Sequence, residues 1–60
     1  MFFKFELADA VIIKRAELKG EIVGRTEYLS DQSRYLLQFN DKQGNPKEQW
    51  FAEDELMRIQ

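Results

Sequence analysis

The sequence contains no cysteine and no histidine. Disulfides, Cys/His zinc sites, and haem or iron–sulfur centres with their usual ligands are thereby excluded. So are Ser-His-Asp and Cys-His catalysis, whose general base is missing. Proline occurs once and glycine three times, so breaks in the chain are few and easily located. Long apolar runs are absent too: Ala10-Val11-Ile12-Ile13 is the longest, far short of a bilayer span. The apolar start Met1-Phe2-Phe3 is interrupted by Lys4, Glu6 and Asp9 before a secretory core of the needed length can form. A cytoplasmic protein with no membrane contact is expected.

Nor is there an excess of positive charge. Nine basic and 11 acidic side chains leave a formal net charge of −2, all of it in residues 31–60. A non-specific nucleic-acid binder draws its affinity from clustered cations, so this balance counts against one. What the chain does have is an ordinary mixture, 43 % apolar and 33 % charged, in 60 residues. That is a single domain, residues 1–60, burying only about 60 % of its unfolded surface. Self-association or a partner would add the burial that a chain of this size lacks.

Alternation of apolar and polar side chains is the main local signal. Phe3, Phe5 and Leu7 alternate with Lys4 and Glu6 as in a strand, and a turn centred on Asp9 follows. Val11-Ile12-Ile13 is β-branched throughout and suits a strand. Arg15–Lys19 holds helix formers but is too short to be stable alone, and is expected to be a loop. From Gly20 to Leu29 the alternation predicts a long strand, with Gly24 at a bulge or bend. Ser30–Ser33 reads as a turn, and Tyr35–Phe39 as a strand with Tyr35, Leu37 and Phe39 on one face. Asn40–Pro46 is a hairpin loop and Glu48–Ala52 the returning strand. Glu53-Asp54-Glu55 reads as a turn or a single 3₁₀ turn before a last strand over Leu56–Ile59. About five short strands with no true helix predict an all-β domain, a small five-stranded antiparallel barrel. Its expected core is Val11, Ile13, Ile22, Leu37, Phe39, Leu56 and Ile59, with Trp50 at least partly buried.

The order of these pieces resembles the Src-homology-3-like barrels, in particular the branch with KOW and Tudor domains. Phe5–Val11 is similar to the apolar Gly-Asp-x-Val opening of that branch, with Ala8 in place of the usual glycine. Lys19–Arg25 is similar to its Lys-Gly-x-Val-x-Gly second strand. Tyr35–Phe39, Asp41, Gly44, Trp50-Phe51 and Glu55-Leu56 resemble small, largely uncharacterised bacterial and phage proteins. The resemblance implies the barrel fold, which hosts many unrelated functions; no cofactor and no small-molecule substrate are expected.

Several residues are candidates for contact with a partner. Trp50-Phe51 is similar to the aromatic pair of Src-homology-3 domains, although the acidic first loop and the proline-containing element are lacking. Adjacent strand residues point to opposite faces, so one of the pair belongs to the core. Tyr28, Tyr35 and one of Trp50 and Phe51 would suit a cage for a cationic group, with Glu53, Asp54 or Glu55 as counter-charge. Filling of the core is the competing explanation for these aromatics. Phe2 and Phe3 are hard to bury completely in so small a chain and suggest homodimerisation through the N-terminal strand. Lys14, Arg15, Lys19, Arg25 and Arg34 are the candidate nucleic-acid patch, with Tyr28 as a stacking platform; Glu17 and Glu21 lie among them. Glu48, Glu53, Asp54 and Glu55 lack the spacing of a calcium loop, and no metal site is expected. The expected function is that of a non-enzymatic module binding a protein partner or itself. A KOW-type nucleic-acid-binding module is the alternative.

Overall fold

The computed structural model describes residues 3–59. Strands β1 (Ala10–Ile13), β2 (Leu18–Thr26), β3 (Arg34–Asn40), β4 (Pro46–Ala52) and β5 (Leu56–Arg58) are joined in one sheet, with a 3₁₀ turn over Glu53–Glu55. All four ladders are antiparallel and the order is β4-β3-β2-β1-β5. The all-β, five-stranded expectation therefore holds, whereas the barrel does not. β4 and β5 are the two edges, and no ladder joins them. β5 has only three residues, all paired with β1. Along β4, Pro46 lacks an N–H and Lys47, Glu48 and Gln49 are exposed polar positions, the composition of an edge that resists further pairing.

The strands follow from the alternation. Val11 and Ile13 of β1 are buried, and Ile12 between them faces the other side. In β2 the register slips between Ile22 and Gly24, a bulge at the position that the glycine marked. Ile22 stands opposite Leu37, whereas beyond the slip Gly24 stands opposite Leu36. The bulge thus exchanges which β2 residues face the core.

The core comprises Phe5, Val11, Ile13, Ile22, Tyr35, Leu37, Phe51 and Leu56, with Phe3, Ala16, Leu18 and Phe39 packed against it in part. Tyr35, Leu37 and Phe39 do share a face, but Phe39 is only half-buried, at the end of the ladder beside exposed Lys47. Ile59 lies past the end of β5 and is not a core residue. The N-terminal strand expected over Phe3–Leu7 is absent. That segment is irregular, yet it places Phe5 at full burial. Its alternation reflects one ring inserted into the core and charged neighbours left outside, which mimics a strand at short range.

The β3–β4 loop is organised by Asp41. Its Oδ1 accepts the backbone N–H groups of Gln43 and Asn45, both at 2.9 Å, and its own N–H donates to Asn45 O at 2.9 Å. These donors, that of Asn45 foremost, hold the Asp41 carboxyl below its usual pKa. Gly44 closes the loop at φ +86°, the left-handed region, with open space around it. A side chain there meets no atom but incurs the left-handed penalty. Gly44→Ala is therefore expected to lower stability by about 1 kcal/mol, measured by urea unfolding, with the midpoint reduced and the slope unchanged.

Candidate functional site

Leu36 lies between core-facing Tyr35 and Leu37, so it points to the outer face of the sheet. Gly24 and Trp50 are its cross-strand partners on either side. Trp50 reaches over Leu36 towards Gly24: a Cβ placed on that glycine would lie 3.3 Å from Leu36 Cβ and 3.8 Å from Trp50 Cη2. The glycine thus leaves a ledge on which the indole rests. Even so, Trp50 is 48 % exposed.

Arg34 is two residues before Leu36 on the same face, paired across the sheet with Thr26 and Ala52. Its guanidinium lies 5.8 Å from the Tyr28 ring centroid and 3.4 Å from Asp31 Oδ2. Tyr28 is exposed, and Leu29 beside it is fully so. Trp50, Leu36, Arg34 and Tyr28 therefore form a strip of mixed aromatic, aliphatic and cationic character across β4, β3 and the β2–β3 loop.

The other expected aromatics lie elsewhere. Phe51 is buried opposite Tyr35, and its ring is in edge contact with Phe39 at 5.9 Å. Tyr35 is fully buried, so it does not join Tyr28 and Trp50 in an open cage. Its hydroxyl donates to Glu53 Oε2 at 2.6 Å and accepts the N–H groups of Lys4 and Phe5 at 3.1 and 3.3 Å. Burial, followed by the bond to the Glu53 carboxylate, raises the Tyr35 pKa above 10. Phe3 packs edge-on against Tyr35 and beneath Arg25. Phe2 lies outside the described residues.

The five candidate cations do not assemble. Lys14 and Arg15 lie in the turn after β1, and Arg15 stands 3.9 Å from Glu55. Lys19 is opposite Ile12 on β2. Arg25 stands opposite Tyr35 and reaches Glu6 at 2.7 Å, so it emerges on the face opposite Arg34. Two of the three acids of the 3₁₀ turn are engaged in structure: Glu53 binds Tyr35, and Glu55 caps the turn by accepting the Ala52 N–H at 2.8 Å. Among the described residues no trio of acids is arranged to hold a metal ion, and no pocket is found.

Sequence reasoning selected Tyr28, Arg34 and Trp50 but not Leu36 and Gly24, which give the indole its seat. Period-two alternation from Tyr35 and the bulge at Gly24 carried that signal. Comparison with family models, curated proteins and solved structures gives no match. The resemblance to Src-homology-3-like barrels of the KOW and Tudor branch, and to small bacterial and phage proteins, is withdrawn: the sheet is open, and no family is shown.

The Tyr35 environment sets an expectation for alkaline pH. A raised native pKa means that the folded state holds the proton more tightly. Its contribution to stability is complete below the unfolded value near 10 and is lost as pH rises from there through the native value. Stability from urea unfolding should therefore fall as pH rises above 10, and replacing Tyr35 with Phe should flatten that decline.

Proposed function

We propose that this chain is a non-enzymatic interaction module that docks a protein partner on the outer face of its sheet. The observation that carries this reading is Trp50, half-exposed on a strand and held on Leu36 and Gly24. A large aromatic side chain fixed on a rigid element contributes much contact area at little entropic cost, and such residues dominate binding energy at interfaces. Arg34 adds a cation beside it. Its pair with Asp31 is solvent-exposed and therefore worth at most about 1 kcal/mol, so a carboxylate of the partner can exchange with Asp31 at small cost. The expected partner surface is accordingly apolar with an acidic group at its margin. No observation favours nucleic acid, since net charge is −2 and the cations are spread over both faces.

The test is affinity capture from extracts of the protein's own cells, followed by calorimetry with the captured partner. Trp50→Ala should weaken binding by about 2 kcal/mol, roughly 30-fold, without changing the far-ultraviolet circular dichroism. Equal affinity of the variant and the parent chain would overturn the reading. Salt-dependent binding of short RNA or DNA by the parent chain would replace it with the nucleic-acid alternative.

A further inference from the structure

The opposite face of the sheet holds a second arrangement, independent of Trp50. Residues 3–6 cross it without entering any ladder. Yet every backbone polar group of Lys4 and Phe5 is met by a side chain. Tyr35 Oη accepts both N–H groups, at 3.1 and 3.3 Å, and Glu53 Oε2 lies 3.3 Å from that of Lys4. Arg58 Nη2 donates to Lys4 O at 2.9 Å, and Arg25 Nη1 donates to Phe5 O at 3.1 Å. The Phe5 ring is fully buried and meets Tyr35 edge-on at 5.2 Å. The Phe3 ring lies under the Arg25 guanidinium at 4.3 Å. Four side chains from β2, β3, the 3₁₀ turn and β5 thus grip a Phe-x-Phe segment that bends at Lys4 and Phe5, as a receptor grips a peptide, by its backbone and two rings.

The connection to this segment is strained. Asp9 N–H donates to Glu6 O at 3.1 Å, closing a turn over Glu6–Asp9. Ala8, its third residue, has φ +72°, a position that favours glycine. Opening the turn removes exposed hydrogen bonds that water can replace, and it releases Ala8 from the left-handed region. The bonds to the backbone of Lys4 and Phe5 come from side chains outside the turn, although Arg25 Nη1 also holds Glu6 Oε2 at 2.7 Å and Ala8 N–H donates to Ile22 O at 2.7 Å.

We infer that the slot formed by Arg25, Tyr35, Glu53 and Arg58 is a binding site for a bent Phe-x-Phe segment. A second copy of this chain fills it by exchanging residues 3–6 across an opened turn. The exchanged dimer repeats the slot's contacts with Lys4 and Phe5 and gives up the bonds that close the turn, so hinge strain and concentration set the balance between them.

Two variants of the full chain test this in opposite directions. Ala8→Val makes the left-handed position costlier, and Ala8→Gly makes it free. Sedimentation equilibrium should give a dimer dissociation constant at least roughly tenfold lower for Ala8→Val than for Ala8→Gly. Isotope-filtered spectra of mixed labelled and unlabelled Ala8→Val should show contacts between Phe5 of one copy and Tyr35 of the other. An Ala8→Val chain that stays monomeric, folded or not, overturns the inference. So does an Ala8→Gly dimer of equal strength, or an Ala8→Val dimer whose Phe5–Tyr35 contacts all remain within one copy.

Discussion

The phenol of Tyr35 is where otherwise separate parts of the chain meet. Its ring stands in the core on β3, and its oxygen uses its full bonding capacity, one donated and two accepted hydrogen bonds. The donated bond fixes Glu53 and with it the start of the turn that leads into β5. The accepted bonds fix Lys4 and Phe5. A sheet of five strands has one apolar face that must be covered, and among the described residues no helix or second sheet covers it. The N-terminal segment does so, and Tyr35 holds that segment in place.

The two faces consequently differ in what they leave free. The inner face is filled by Phe5, with Arg25 and Arg58 reaching round to the backbone of the covering segment. Those arginines stand at core-facing register positions opposite Tyr35 and Val11. Their charged ends bond the carbonyl oxygens of Phe5 and Lys4 and lie over the Phe3 and Phe5 rings, at 4.3 and 5.9 Å. The outer face has no such cover. The slip at Gly24 places a residue without a side chain beside Leu36, so the end of the Trp50 indole reaches over it while the ring stays half in solvent.

Much of the fold was legible in the residues. Val11, Ile13, Ile22, Leu37 and Leu56 are core positions by alternation, and Asp41 with Gly44 marks the hairpin. The bulge at Gly24 and the 3₁₀ turn over Glu53–Glu55 were visible as well. What misled was the start of the chain. Alternation over Phe3–Leu7 is the same whether a segment pairs as a strand or merely inserts one ring. Only the remote partners of Lys4 and Phe5, 31 and 30 residues away on Tyr35, decide between them. Closure into a barrel was equally beyond local signals, because it depends on whether the two edges meet. Of the candidate site, the residue types were apparent and their grouping was not: Arg25 and Arg34 look alike in sequence and emerge on opposite faces. Tyr28 and Tyr35 likewise differ only through burial.

If the Tyr35 hydroxyl is what holds the cover on the sheet, its removal has a local signature. Amide hydrogen exchange of a Tyr35→Phe variant measures it most directly. The ring stays, so packing in the core should persist, and the amides of the β2–β3 ladder should keep their protection. The amides of Lys4 and Phe5 should lose theirs. Unchanged exchange at Phe5, or an equal loss of protection throughout the sheet, would contradict the account.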